Sequence, residues 1–204
     1  MATQQRILLI LDVDETLIHA TGRLLGNPDF TAGSYNVYRR PHLEEFLKTC
    51  SEYYDLAIWS SGGSDYLQAV VNNIMPPNIQ PVFIWCRDRC IRRVNPETQD
   101  ECFLKDLKKV KRQGFDLDRV LIVEDTAEKV QRNYGNAVYV TSYVGQADDK
   151  DLLLLGQYLA SIHLVENVRK LEKRGWRGQQ VSESGESHHR PIYTNRADWK
   201  RSTR

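Results

Sequence analysis

Five short runs of apolar residues stand out along the chain, with almost no polar residue inside them. An uninterrupted apolar run of this length is typical of a β-strand that is covered on both faces, as in a parallel sheet. The runs are Arg6–Leu11, Leu56–Trp59, Val82–Trp85, Val120–Val123 and Ala137–Val140. We predict that they form the strands of one buried sheet.

Between these runs lie segments in which apolar residues recur every three or four positions, the period of an amphipathic helix. The segment "RPHLEEFLKTCSEYY" shows this period, with Pro41 suited to the first helical turn. The segment "SDYLQAVVNNIM" shows it too, and Ser64 at its start is a capping candidate. Two further segments, "LKDLKKVKRQGF" and "DDKDLLLLGQYLASIHL", also predict helices. Alternating strands and helices indicate an α/β fold with a mostly parallel central sheet.

Three stretches depart from this alternation. Thr21–Tyr38 holds glycines and a proline between short β-prone pieces, which favours a hairpin or a loop. Arg87–Cys102 is polar and rich in arginine, so we expect a small insertion near the functional site. Beyond residue 175 aliphatic residues become rare. We therefore expect a folded domain over 1–174 and a polar tail over 175–204, either solvated or docked through aromatic residues such as Trp176.

Composition and charge narrow the class of protein rather than its activity. The 204 residues carry a formal net charge of +1, which gives no bulk electrostatic reason to bind nucleic acid or an anionic membrane. No stretch approaches the roughly 20 apolar residues of a membrane helix, and the N-terminus lacks a signal-peptide pattern. We expect a cytoplasmic protein, or a nuclear one in a eukaryote, whose four cysteines are reduced. Zinc at Cys86, Cys90 and Cys102 is disfavoured, because their spacing lacks paired C-x-x-C motifs.

Polar residues gather just after several predicted strands and beside one later helix. Ligands of parallel α/β sheets bind beyond the carboxyl ends of the strands, so these residues are expected to meet. The set is Asp12, Asp14, Thr16, Ser60, Ser61, Lys105, Glu124 and Asp125. Carboxylates suit Mg²⁺, and a lysine with a hydroxyl suits a phosphoryl group. Taken singly, each residue also fits a helix cap, a turn or a solvated surface; the prediction rests on the set.

The ordered motifs resemble a known family. The pentapeptide "DVDET", Asp12–Thr16, resembles the D-x-D-x-T signature of haloacid-dehalogenase (HAD) superfamily phosphatases. "YRRPHLEEFL", "DLAIWSS", "LKDL" and "RVLIVEDT" follow as in the branch of small C-terminal-domain phosphatases and nuclear LIM-interactor-interacting factors. The resemblance covers Arg6–Leu171. It implies a Rossmann-like HAD fold with a central parallel sheet, while the segment lengths leave no room for a large cap domain and allow only a small insertion between Ser60 and Lys105.

The resemblance also assigns roles to individual residues. Asp12 is the expected nucleophile, and Asp14 the general acid and base, with its backbone carbonyl on magnesium. Ser60 matches the Thr or Ser that binds the phosphoryl oxygens, with Ser61 beside it. Lys105 matches the lysine that neutralises the phosphoaspartate, and Thr16 supports the loop.

One position departs from the pattern of that branch. Glu124 and Asp125 stand where the small phosphatases carry Asp and a metal-binding Asn. An acidic pair still suits a divalent cation, so we expect the metal site to persist. Asp125 is the expected ligand because it occupies the position of the Asn, and Glu124 is the second candidate.

The expected activity is that of a magnesium-dependent phosphomonoesterase with an aspartyl-phosphate intermediate. An uncapped site favours a macromolecular ester, and the resemblance implies phosphoserine or phosphothreonine in a protein. Arg89 and Arg92 are candidates for gripping such a substrate. Two alternatives are a polynucleotide 3′-phosphatase, which would bind a nucleic-acid end, and a non-catalytic binding module on the same fold. The presence of both Asp12 and Asp14 disfavours the non-catalytic alternative.

Overall fold

A central sheet of five parallel strands organises the molecule. The computed structural model describes residues 6–94, 97 and 99–178. In chain order the strands are β1 (Ile7–Leu11), β2 (Ile18–Thr21), β3 (Phe30–Ala32), β4 (Tyr35–Arg39), β5 (Tyr54–Trp59), β6 (Ile84–Trp85), β7 (Ile91–Val94), β8 (Glu101–Leu104), β9 (Val120–Glu124) and β10 (Ala137–Tyr139), and the α-helices are α1 (Leu43–Tyr53), α2 (Ser64–Ile74), α3 (Lys108–Lys111) and α4 (Asp151–Ile162). The order in the central sheet is β10-β9-β1-β5-β6. Every neighbouring pair is parallel, which confirms the predicted α/β, Rossmann-like fold class.

Both faces of this sheet are buried, which explains the uninterrupted apolar runs. Alternate side chains of a strand point to opposite faces. Leu9 of β1 belongs to the core cluster that includes Phe46 of α1 and Leu155 of α4. Its neighbours Leu8 and Ile10 belong to the cluster on the other face, under α3. A strand in this position has no solvent-facing side and therefore no polar alternation.

Two predicted helix starts are wrong by one or two residues. α1 begins at Leu43, and His42 before it adopts a left-handed conformation with φ 64°. Pro41 therefore lies in the turn that precedes the helix rather than in its first turn. α2 has Gly63 as its N-cap residue, so Ser64 is the first helical residue and does not cap.

The helix predicted over "LKDLKKVKRQGF" is much shorter than expected, because only Lys108–Lys111 is α-helical. At its front, the backbone N–H of Lys105 donates to the carbonyl of Lys129 at 2.7 Å, which commits this residue to a contact between segments. At its rear, Gly114 has φ 95°, a left-handed conformation that ends a helix. Long-range pairing has overridden the local helical pattern here.

Two small antiparallel units flank the central sheet. The stretch predicted as a hairpin or loop holds β3 and most of β4, which join β2 in a three-stranded sheet of order β2-β4-β3. The arginine-rich stretch holds a 3₁₀ turn at Arg87–Arg89 and the β7–β8 hairpin. These units are the only additions between β1 and α3 besides α1 and α2 in the described residues, so no larger cap lies there.

The end of the described chain is attached to the body. Trp176 is only 3% exposed, and its indole N–H donates to the carbonyl of Tyr139 at 2.8 Å. Arg177 pairs with Asp151 at the start of α4. The remainder of the predicted tail, from residue 179 onward, lies outside the described residues.

Two further expectations concern thiols and membranes. All four cysteines are free. Across the described ranges, no helix combines the length and the apolar character needed to cross a bilayer.

Candidate active site

The candidate site lies at the carboxyl ends of three adjacent strands. Asp12 directly follows β1, Ser60 directly follows β5, and Glu124 is the last residue of β9. The backbone N–H of Asp12 donates to the carbonyl of Val123 at 3.1 Å, so the ladder between β1 and β9 continues up to the nucleophile candidate. Parallel pairing brings together residues that are more than 100 positions apart in sequence.

The carboxylate of Asp12 is fully buried and held from two sides. Nζ of Lys105 donates to Oδ1, and Oγ1 of Thr16 donates to Oδ2 at 3.1 Å. The ammonium of Lys129 lies 3.7 Å from Oδ2. Burial raises the pKa of Asp12, but the charges of Lys105 and Lys129 outweigh burial and lower its pKa overall. Asp12 is therefore ionised, the state that a nucleophilic carboxylate requires.

Asp14 lies in a different environment. Oγ of Ser60 donates to its Oδ2 at 3.0 Å, and the hydroxyl of Tyr66 donates to its Oδ1 at 2.5 Å. Burial, and then the negative charge of Asp12, raise the pKa of Asp14. Two carboxyl groups two residues apart thus have pKa values shifted in opposite directions. Such a split is expected of a pair that divides nucleophile and acid roles.

The turn after β5 brings Ser60 close to Asp14. Ser60 is fully buried, and its Oγ also accepts the backbone N–H of Gly62 at 2.8 Å. A Cβ atom at Gly62 would lie 2.9 Å from the ring of Tyr66 and 3.1 Å from Oγ of Ser60. Glycine is therefore needed at this position to let the ring and the hydroxyl approach Asp14 together.

Lys105 is fully buried and bridges two carboxylates. Its Nζ donates to Asp12 and, at 2.6 Å, to Oε2 of Glu124. Burial lowers the pKa of Lys105, but the charges of Asp12 and Glu124 raise it overall. Burial, and then the charge of Asp12, raise the pKa of Glu124 to about 8, although both nearby lysines oppose this shift. The negative charge of the cluster is thus held more firmly on Asp12 than on Glu124.

Asp125 completes a converging group of oxygens. Its Oδ2 accepts from the hydroxyl of Ser142 at 2.6 Å, and its Oδ1 accepts from the hydroxyl of Thr126 at 3.0 Å. Carboxylate oxygens of Asp12, Glu124 and Asp125 lie within 4.8 Å of one another. Three hard oxygen donors at this spacing fit a divalent cation such as Mg²⁺.

Other predicted site residues are placed differently. The side chain of Asp14 faces Ser60 and Tyr66 rather than the three converging carboxylates.

The remaining predicted residues lie at the insertion. The backbone carbonyl of Ser61 accepts a hydrogen bond from Nε of Arg87 at 2.7 Å. Arg89 lies over the ring of Trp85, with its guanidinium carbon 5.3 Å from the ring centroid. Arg92 forms an ion pair with Glu101 on the opposite strand of the β7–β8 pair.

Sequence reasoning missed two polar residues of this site. Lys129 places its ammonium 3.2 Å from Glu124 and 3.6 Å from Asp125. Its position four residues after Asp125 was the available signal, because a helical turn brings such residues together. Tyr66 falls at a position of α2 where helical spacing predicts an apolar face, so the sequence gives no signal that its hydroxyl has a polar partner.

Arg40 is a third residue that the sequence did not reveal. Its side chain is fully buried, and it donates to the carbonyls of Thr16 at 3.0 Å and Thr141 at 2.8 Å. It also donates to both carboxylate oxygens of Asp149 at 2.8 Å and to Asp151 at 3.3 Å. One guanidinium therefore ties the loop that carries Asp12 and Asp14 to the segment after β10 and to the start of α4.

Phosphatases of the HAD superfamily combine this sheet with carboxylates at these strand ends, and the molecule fits that class. Comparison with known proteins narrows the class to a family. The sequence model of the NLI interacting factor-like phosphatases matches residues 7–169. The chain therefore belongs to the NLI interacting factor-like phosphatase family.

Individual relatives agree with this assignment. CTD small phosphatase-like protein 2 of Dictyostelium discoideum is 31% identical over 172 residues, which cover 80% of this chain and 29% of that protein. The human carboxy-terminal domain RNA polymerase II polypeptide A small phosphatase 2 is 26% identical over 173 residues, or 81% of this chain and 60% of the relative. The chain thus spans less than two thirds of the length of either relative.

A solved structure shares the fold. A beryllium fluoride-bound variant of the fission yeast RNA polymerase II CTD phosphatase Fcp1 superposes with a TM-score of 0.50 at 20% identity. The match covers 81% of this chain and 53% of that chain. At this level of identity, the likeness supports the shared fold.

Proposed function

We propose that this chain is a magnesium-dependent phosphomonoesterase that works through an aspartyl-phosphate on Asp12. The observation that supports the proposal is that the pKa values of Asp12 and Asp14 are shifted in opposite directions. Lysines hold Asp12 ionised, while burial and the neighbouring charge favour the protonated form of Asp14. A carboxylate with a lowered pKa, suited to nucleophilic attack, thus stands beside a carboxyl group with a raised pKa, suited to giving a proton.

In the first step, a carboxylate oxygen of Asp12 attacks phosphorus, and the bond from phosphorus to the ester oxygen breaks. Asp14 gives its proton to the leaving oxygen, which departs as an alcohol. Lys105 stabilises the negative charge near Asp12 throughout, because burial leaves its ammonium little competition from water. Ser60 and Tyr66 keep Asp14 oriented toward the leaving group through the hydrogen bonds described above.

In the second step, water attacks phosphorus of the aspartyl-phosphate. Asp14, now a carboxylate, takes a proton from that water, and the bond from phosphorus to the oxygen of Asp12 breaks. Inorganic phosphate leaves, and both residues return to their starting states. The same group thus acts first as acid and then as base.

The carboxylates of Asp12 and Asp125 would hold Mg²⁺, with Glu124 beside them. When bound, the ion supplies positive charge that offsets the charge of the phosphoryl group. Glu124 is better suited to orienting Lys105 than to binding the ion, because its Oε2 already accepts from that lysine.

The proposed substrate is phosphoserine or phosphothreonine in a protein. The human relative is named as a phosphatase of the carboxy-terminal domain of RNA polymerase II, a protein segment. The small size of the additions to the sheet also supports a macromolecular substrate, because the described residues hold no large cap to enclose a small one. A cytoplasmic or nuclear location stays a prediction.

A substrate panel tests this function. Phosphoserine and phosphothreonine peptides, oligonucleotides with a 3′-phosphate, and sugar phosphates would be compared by kcat/KM with Mg²⁺ and again with EDTA. We expect the highest value for phosphopeptides, no turnover in EDTA, and full recovery when Mg²⁺ is restored. A preference for the 3′-phosphate would instead identify a polynucleotide phosphatase.

A matched pair of variants tests the intermediate. Asp12→Asn should abolish turnover while leaving the fold intact, because an amide cannot form the acyl-phosphate. Asp14→Asn should still trap phosphate on Asp12 from an aryl phosphate, which needs no protonated leaving group. If the wild-type chain hydrolyses nothing yet binds phosphopeptides, the chain is a binding module rather than an enzyme.

A further inference from the structure

The ammonium of Lys129 contacts all three carboxylates that converge as a metal site. It lies 3.2 Å from Oε1 of Glu124, 3.6 Å from Oδ1 of Asp125 and 3.7 Å from Oδ2 of Asp12. In the described part of the chain, Asp125 has no other ion-pair partner within 4 Å. The positive charge of Lys129 therefore sits among the oxygens that fit a divalent cation.

Electrostatics makes this ammonium and a metal ion competitors. Mg²⁺ binds its oxygen ligands at about 2.0–2.1 Å, so an ion on these carboxylates would come within a few ångströms of an ammonium that keeps its present contacts. Like charges at such separations repel strongly where water is excluded. Asp12 and Glu124 are both fully buried, so solvent screens this repulsion weakly.

The two lysines of the cluster differ in their freedom to move. Lys105 is fully buried and fixed by its bridge between Asp12 and Glu124. The side chain of Lys129 is 17% exposed. It also stands on a kinked run of 3₁₀ turns, Ala127–Asn136, that contains residues with non-helical φ and ψ. Lys129 is thus the lysine that can withdraw from the carboxylates toward solvent.

We propose that Lys129 is a resident counter-cation that competes with the divalent metal ion for the carboxylates of Asp12, Glu124 and Asp125. It stabilises the metal-free site and thereby raises the Mg²⁺ concentration at which the site fills. The inference rests on the proposed function only in taking these carboxylates as the metal site. It does not depend on which phosphate ester is the substrate.

Calorimetric titration of Mg²⁺ into chelator-treated protein tests the competition. Lys129→Met keeps the length of the side chain and removes its charge, while Lys129→Arg keeps the charge. We expect Mg²⁺ to bind Lys129→Met at least about tenfold more tightly than wild type, because the repelling charge is gone. Lys129→Arg should bind no more tightly than wild type. Lys108→Met, which removes an exposed charge from α3, should leave the affinity unchanged.

Thermal unfolding of Lys129→Met, measured without and with Mg²⁺, provides a second test. Without metal, Lys129→Met should melt several degrees below wild type, because buried carboxylates lose a partner. Saturating Mg²⁺ should close this gap. Unchanged or weaker Mg²⁺ binding by Lys129→Met would overturn the proposal, as would equal melting temperatures without metal.

A measurement on the unmodified chain covers the case in which Lys129→Met does not fold. The ¹⁵N signal of the Lys129 ammonium, assigned by its loss in Lys129→Arg, should shift as Mg²⁺ is added. If the signal does not shift at saturating Mg²⁺, the ion does not displace the Lys129 ammonium and the proposal is contradicted. Because neither binding nor spectra require turnover, a chain that shows the competition but hydrolyses no phosphate would refute the proposed function alone.

Discussion

The hydroxyl of Tyr66 lies 2.5 Å from Oδ1 of Asp14 and reaches it from a different segment of the fold. Asp14 belongs to the loop after β1, whereas Tyr66 belongs to the first turn of α2. With Ser60 on the second oxygen, both oxygens of this carboxyl group accept a hydrogen bond. The orientation of the proposed acid is therefore set jointly by α2 and by the turn after β5.

Removing the Tyr66 hydroxyl should impair proton delivery more than phosphorus attack. Tyr66→Phe should lower kcat about tenfold for a phosphoserine peptide, whose alkoxide leaving group needs a proton, and much less for p-nitrophenyl phosphate. Tyr35→Phe is the matched control, because that ring packs edge-on against Tyr66 at 5.6 Å. Equal losses for both substrates would mean that Tyr66 serves packing rather than Asp14.

Arg40 should be among the residues most sensitive to conservative replacement. Arg40→Lys keeps the charge but cannot donate to two carbonyls and two carboxylates at once. We expect the melting temperature to fall by about 10 °C, because several buried acceptors lose a hydrogen bond at roughly 1–3 kcal/mol each. Arg39→Lys, at an exposed neighbour, should shift it by less than about 2 °C. A similar small shift in Arg40→Lys would show that its contacts contribute little.

The acidic pair after β9 should divide into a ligand and a supporting residue. Asp125→Ala should weaken Mg²⁺ binding by about tenfold or more, the scale for lost ligands and their partners. Glu124→Gln should weaken it less, because Glu124 is occupied by Lys105 and by Lys129 at 3.2 Å. Calorimetric Mg²⁺ titrations of both variants decide the assignment. A larger loss in Glu124→Gln would make Glu124 the ligand.

Arg89 and Arg92 remain candidates for binding the substrate. Alanine at both positions should lower kcat/KM for phosphopeptides about tenfold, the scale of a lost charge-assisted hydrogen bond, and leave p-nitrophenyl phosphate unaffected. Replacing the exposed pair Lys111 and Arg112 removes the same charge elsewhere and serves as control. Equal effects of the two double variants would point to overall charge rather than to the insertion.

The lowered pKa of Asp151 predicts how the stability of the fold depends on pH. Burial opposes ionisation, but hydrogen bonds from Arg177 and the N–H of Thr141, with the charges of Arg177 and Arg40, lower its pKa to about 2. The unfolded value is about 3.9, so the carboxylate stabilises the fold above that pH and loses this effect as pH falls toward 2. Urea midpoints of wild type and Asp151→Asn should differ at pH 7 and converge between about pH 4 and pH 2. A constant difference would exclude this linkage.

The apolar runs were enough to predict the sheet, because a strand buried on both faces is apolar at nearly every position. The boundaries of α1 and α3 were harder to predict, since His42 takes a left-handed backbone conformation and the backbone N–H of Lys105 bonds to the distant Lys129. The candidate site was predictable where residues stand directly at strand ends, as Asp12 and Ser60 do. Tyr66, Lys129 and Arg40 were missed because helical spacing or local charge described them equally well as core or surface residues.

The central position of β1 has a consequence for the order in which the molecule forms. β1 ends at Leu11, but its neighbour β9 begins only at Val120. During synthesis, about a hundred residues must therefore be added after Asp12 before β9, which pairs with β1, is made. Pairing across such a separation forms slowly, because a long loop must close before contacts compensate for its entropy. A chain interrupted before β9 lacks Glu124 and Asp125, so the candidate site cannot be complete until that strand has been made.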